Sequence, residues 1–204
     1  PVVHHAGTDA ELDAFALDVQ KIVREARHVF GEYPAYEGNT YTFLADYLPW
    51  ANGDGMEHRN STILTSTTSI RSNRIGLLDT ISHEFIHGWN IERIRPRSLE
   101  PFNFEDANMS GELWLGEGFT SYYGPLVLLR AGLTQVDDFA AEMSDVVNAV
   151  ANSPGRRIRS AEEMSRLAPF VDAAASVDRT SFDNTYISYY TWGAAIALGL
   201  DLTL

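Results

Sequence analysis

The chain has 204 residues and ordinary globular hydrophobicity at 45%, enough for a substantial buried core. Its net charge of -13 argues against a nucleic-acid partner, since binding a phosphate backbone needs a basic face. With no cysteine there is no disulfide, no thiolate nucleophile and no thiolate metal ligand, so any metal must rest on His and carboxylate side chains.

Thr8-Asp9-Ala10-Glu11 fits a capping box, and Leu12, Phe15, Leu17, Val19, Ile22, Val23 and Val29 suit a helix over about 9–29. Gly31 to Gly38, with Pro34, reads as a loop. Thr40 to Tyr47 is aromatic and β-branched and reads as a strand. Asn52-Gly53-Asp54-Gly55 is a turn signal leading into Met56-Glu57-His58, and Ser61 to Thr68 is β-prone again. A helical pattern runs from Ile75 to about Asn90, followed by an irregular loop over 91–110 that holds Pro96 and Pro101. Helices are expected over about Glu112 to Ala131, Gln135 to Val150, Ala161 to Leu167 and from about Ser188 onward, with a break at Asn152-Ser153-Pro154-Gly155. The fold class is α+β: a small N-terminal sheet region followed by a mainly helical bundle. No apolar run has the length of a membrane span and no signal peptide is evident. The chain begins at Pro1 and stops at Leu204 inside an apolar helical pattern, so it reads as a fragment of a longer protein.

His83-Glu84-Phe85-Ile86-His87 carries the chemistry. A helix turns about 100° per residue, so Ile81, Phe85 and Trp89 fall within roughly 60° of Leu78 as one apolar stripe. His83 and His87 then share the opposite side, and Glu84 flanks them. Two imidazoles can take one zinc while the Glu84 carboxylate stays outside the ligand set, close to a water. A catalytic zinc needs a third ligand, and two carboxylates compete. Asp106 lies 19 residues after His87 in a loop-like segment, where capping or solvation is its ordinary role. Glu117 lies 30 residues after His87, on a helix among Leu113, Trp114, Leu115, Phe119 and Tyr122. A carboxylate buried there is costly unless paired or metal-bound, so Glu117 is the choice.

His83-Glu-Phe-Ile-His87-Gly-Trp89-Asn90, Arg93-Ile-Arg95-Pro96, Trp114-Leu-Gly-Glu117-Gly-Phe-Thr and Tyr189-Tyr190-Thr-Trp-Gly193 together resemble the gluzincin peptidases, specifically the glycyl aminopeptidase family M61. The resemblance implies a thermolysin-like zincin catalytic domain over 1–204, with an upstream β-rich domain and a downstream PDZ domain in the whole protein. It also implies one zinc ion per chain, a peptide substrate, and a preference for small residues such as Gly or Ala at the substrate's amino terminus. Gly55-Met56-Glu57-His58 is similar to the Gly-x-Met-Glu-Asn motif of related aminopeptidases, in which the Glu binds the substrate's α-amino group, with His58 standing where Asn is usual. Tyr190 matches the tyrosine that donates to the oxyanion in relatives, although Tyr186 and Tyr189 are close rivals and Trp192 replaces a lysine. Glu84 is the expected general base. The rival readings are a thermolysin-type endopeptidase and a non-catalytic peptide-binding module that retains the fold. Arg93, Arg95, His4, His5 and His28 are given no catalytic role.

Overall fold

The computed structural model describes residues 1–101, 103, 105–174 and 179–204. The chain folds as two compact units, 1–93 with 123–136 and 94–122 with 137–204. The architecture is α+β, with a small N-terminal sheet and a mainly helical remainder.

The first unit opens with strand β1 (Val2–His5) and helix α1 (Asp9–Phe30). The α1 capping box is present: Thr8 Oγ1 accepts from the Glu11 backbone N–H, and Glu11 reaches back to the Thr8 N–H. Phe15, Val19, Ile22 and Ala26 line its buried face, whereas Leu17, apolar by sequence, is exposed. Strands β2 (Thr42–Tyr47), β3 (Asp54–His58) and β4 (Ser61–Ser66) complete one sheet in the order β1-β2-β4-β3. The β1–β2 and β2–β4 pairs are parallel, and β3 runs antiparallel to β4 at the sheet's edge.

Helix α2 (Arg74–Ile86) packs on this framework. Its first residue, Arg74, pairs with the buried Asp18 of α1, which also takes Lys21 Nζ at 3.0 Å. The face opposite its apolar stripe is not a solvent face. Leu77, Leu78, Ile81, Ser82, Glu84, Phe85 and Ile86 are all buried, so the helix is enclosed nearly all round. It also stops four residues before Asn90. The backbone tightens there, with Gly88 N–H donating to Phe85 O and Trp89 N–H to Ile86 O, and the chain turns away. The core joins Phe15, Ile22, Leu64, Leu78, Phe85 and Trp89, each burial contributing roughly 1.5–3 kcal/mol before entropy is counted.

The second unit is helical. Helix α3 (Leu113–Arg130) starts in it, and α4 (Val136–Asn152), α5 (Ala161–Ser165), α6 (Ala168–Ala174), α7 (Arg179–Thr185) and α8 (Tyr189–Asp201) follow. Ser165 Oγ accepts from Trp114 N–H at 2.9 Å and so serves the first turn of α3. Met143, Met164, Ile187, Tyr189, Ala194 and Ala197 are buried. In the loop over 91–110, residues 102 and 104 lie outside the described set. Among the described residues no helix is long and apolar enough to cross a membrane.

Candidate active site

His83 and His87 follow each other by one helical turn, His83 in the last turn of α2 and His87 capping it with helical backbone angles (φ −58°, ψ −19°). Their rings meet edge to face with centroids 4.8 Å apart. His87 is buried, 1% exposed, and its Nδ1 lies 3.0 Å from the backbone carbonyl oxygen of Asn90. A carbonyl only accepts, so Nδ1 carries the proton of the neutral ring. That tautomer puts the ring lone pair on Nε2, with ring orientation and tautomer both set by a backbone group.

The segment after α2 explains this bond. An added Cβ on Gly88 would lie 3.2 Å from Phe85 O and from Tyr36 Oη, so a side chain there would make these neighbours give by a few tenths of an ångström. Trp89 is anchored from both ends: its indole N–H donates to Glu32 O at 3.1 Å, and its ring stacks on Phe30 at 4.7 Å. Ile91 takes φ +104°, a conformation that a β-branched residue rarely adopts, directly after the Asn90 carbonyl that His87 uses. The turn is held against local preference by the packing on either side of it.

On edge strand β3, alternation puts Gly55 and Glu57 on the half-buried face and Asp54, Met56 and His58 on the exposed one. Thr62 Oγ1, fully buried, donates to Met56 O at 2.9 Å and fixes the strand. The Glu84 side chain lies directly over Gly55: an added Cβ there would be 2.3 Å from Glu84 Oε1 and 2.7 Å from Cδ. Burial first, then the Tyr36 hydroxyl and the Glu84 and Glu57 carboxylates, push the neighbouring Tyr41 phenol above the ordinary tyrosine range. Tyr41 therefore stays protonated beside the acidic pair.

In the second unit Glu117 is half-buried on α3 between buried Gly116 and Gly118. Gly118 and α8's Gly193 are the crossing point of the two helices. An added Cβ on Gly118 would fall 2.4 Å from Gly193 Cα, and one on Gly193 would fall 1.8 Å from the Trp114 carbonyl oxygen. A second tie joins the same helices, Tyr122 Oη donating to Asp201 Oδ2 at 2.6 Å. At the start of α8, Tyr189 is buried at 4% exposure while Tyr190 is 38% exposed, their rings 4.8 Å apart.

His83, His87 and Glu117 offer ligating atoms that all lie within 4.8 Å of one another, as do Glu57, Glu84 and His87. These His and Glu groups could hold a metal ion. Asp106 is in neither: it is exposed, and its backbone N–H donates to Asn103 Oδ1 at 3.4 Å. Arg93 pairs with Glu32 at 2.9 Å and Arg95 with Glu100 at 3.3 Å, while His4 meets Asp46 at 3.5 Å and His28 meets Glu25 at 3.2 Å. Sequence reasoning missed the glycines and Asn90. Their signal was present in Gly55-x-Glu57 and His87-Gly-Trp-Asn90, but their roles depend on what packs against them.

Residues 76–196, more than half of the chain, match the family described as M61 glycyl aminopeptidase. No curated protein matches the sequence. Among solved structures, the chain is similar to an aminopeptidase N family protein from Idiomarina loihiensis, with a TM-score of 0.82 and 29% sequence identity. That likeness covers 98% of this chain and 34% of the other, so the chain spans about a third of that protein's length.

Proposed function

Because the chain belongs to the M61 glycyl aminopeptidase family, we propose that it is a zinc-dependent aminopeptidase hydrolysing the N-terminal peptide bond of peptides, with small residues such as Gly or Ala favoured at that terminus. The observation that carries the reading is a donor set of two imidazoles and one carboxylate beside a second, buried carboxylate that the set does not need. That set suits zinc: nitrogen and oxygen ligands, three in number, with His87 Nδ1 against the Asn90 carbonyl so that Nε2 would be the ligating atom. His83, His87 and Glu117 would hold the ion. When bound, zinc supplies Lewis acidity to the scissile carbonyl and to the attacking water.

The chain's own groups do the rest. Glu84 takes the proton of the attacking water and delivers it to the leaving amine. Tyr190 donates a hydrogen bond from its hydroxyl to the developing oxyanion. It is the tyrosine we assign because it is exposed at the first turn of α8, whereas Tyr189 is buried in the packing. Glu57 pairs with the substrate's α-ammonium and sets the register at one residue from the amino end.

Glycyl and alanyl p-nitroanilides, their amino-blocked counterparts and an internally quenched peptide, each assayed with and without chelator, test this reading. Chelator-sensitive cleavage of the free-amino substrates alone is expected. Cleavage inside the blocked peptide would make the protein an endopeptidase, and no cleavage with zinc bound would make it a binding module. Glu84→Gln should retain zinc and lose turnover, and full activity in that variant would remove Glu84 as the base. Glu57→Ala should raise KM for free-amino substrates.

A further inference from the structure

We propose that Gly55 is a positioning residue for Glu84, holding the general base in place by offering it a surface without a side chain. The inference rests on the reading of Glu84 as the base. Nothing in the backbone at Gly55 requires glycine, since the glycines with left-handed φ are Gly31, Gly38 and Gly132. The space requires it. A Cβ at this position would meet Glu84 Oε1 at 2.3 Å, Cδ at 2.7 Å and Cγ at 3.0 Å, one contact after another along a single side chain.

Neither backbone can move aside to make room. Gly55 is registered opposite Leu64, itself 1% exposed, and Thr62 Oγ1 ties the next residue of the strand. On the other side, α2 is fixed by Ser82 Oγ donating to Gly124 O at 3.0 Å and by Phe85 in its ring cluster. The flexible partner is Glu84, so a methyl group on residue 55 is relieved by turning Glu84 to another rotamer. The fold survives that change and the base does not stay where it was. Glu57, two residues on and on the same strand face, keeps its own place. Loss of kcat without loss of substrate binding follows, because Glu57 is the group assigned to the substrate's amino terminus. A displaced base costs on the order of 100-fold for about an ångström of misplacement.

The test is a double-mutant cycle on alanyl p-nitroanilide hydrolysis, using wild type, Gly55→Ala, Glu84→Ala and the double variant, with Glu84→Gln as reference. Zinc content and Tm are measured on each. Gly55→Ala is expected to lower kcat by roughly 100-fold, with KM within about twofold, zinc content unchanged and Tm within about 3 °C of wild type. Alanine lacks the atoms that would clash, so adding Gly55→Ala to Glu84→Ala should change the residual kcat by no more than about threefold. A Gly55→Ala variant with near wild-type kcat, alongside an inactive Glu84→Gln, overturns the positioning role and leaves Glu84 as the base. An active Glu84→Gln overturns the base itself. Should Gly55→Ala alone fail to fold, the double variant decides. Folding with the residual activity of Glu84→Ala supports the proposal, and failure to fold overturns it, because contact with Glu84 would then not be what the glycine avoids.

Discussion

Glu84 and His87 sit on a helix wrapped in aromatic rings, whereas Glu117 and Tyr190 sit on two helices whose crossing contains no side chain at all. Around α2, Phe85 touches the rings of Tyr41, Phe43 and Trp89, and Trp89 touches Phe30. Around the α3–α8 crossing, Gly118 and Gly193 bring backbone against backbone. Both arrangements immobilise a chemical group. The first does so by filling volume, so it fails when atoms are removed. The second does so by leaving volume out, so it fails when atoms are added.

The largest effect expected from that contrast is at Phe85. Phe85→Ala should cost about 3–5 kcal/mol, because its ring is 1% exposed and several other rings depend on it. Denaturant unfolding measures this, and a loss below about 1 kcal/mol would show that the ring cluster does not carry the helix. At the crossing, the addition of one methyl group in Gly193→Ala should cost roughly 1–3 kcal/mol or more, since the atom it meets is a backbone oxygen that cannot rotate away. Gly199, six residues later on α8, has nothing within 4 Å of an added Cβ. Gly199→Ala should therefore stabilise the protein by about 0.5–1 kcal/mol through helix propensity alone. Opposite signs within one helix are the signature of a crossing point. The same sign at both positions would leave the Gly118–Gly193 approach without energetic weight.

The same contrast sets what a sequence can disclose. Thr8 and Glu11 announce the start of α1, and the bounds expected for α3 and α4 and the start expected for α8 fall within one or two residues of those observed, since caps and periodicity act locally. His83 and His87 are legible for the same reason: four residues on a helix are neighbours whatever surrounds them. The strand at Val2–His5 was not legible, being only four residues long and held by parallel pairing to β2. The strand at Asp54–His58 looked like a turn because its first residues are Asp and Gly, and its order comes from β4. The helices Ala168–Ala174 and Arg179–Thr185 are too short for their period to stand out. Gly55 beneath Glu84, the Asn90 carbonyl on His87 and the meeting of Gly118 with Gly193 are facts of tertiary packing. No local pattern encodes them.

The smallest effects expected concern the helix starts, where the two units again differ. Glu11 at the start of α1 is held down to about 2, first by the Thr8 backbone N–H and then by the Arg71 guanidinium, whose Nε lies 2.6 Å from Oε1. Glu112, just before α3, is lowered by the hydroxyls of Ser98 and Ser110, which donate to Oε2 at 2.7 and 2.8 Å. A carboxylate whose pKa is lower in the folded state contributes stability above its unfolded value and loses it as pH falls through the folded one. The difference in denaturation midpoint between wild type and Glu11→Gln should therefore be complete at neutral pH and close between about 4.5 and about 2. Glu112→Gln should follow the same direction from the same upper end. Salt separates the two. The Glu11 difference rests partly on a charged partner at an exposed site and should shrink as ionic strength rises toward about 1 M, where the screening length is roughly 3 Å. The Glu112 difference rests on neutral hydroxyl donors and should stay nearly constant across the same titration. A Glu112 difference that fell with salt as steeply as that of Glu11 would mean that charge, not the two serines, sets its ionisation.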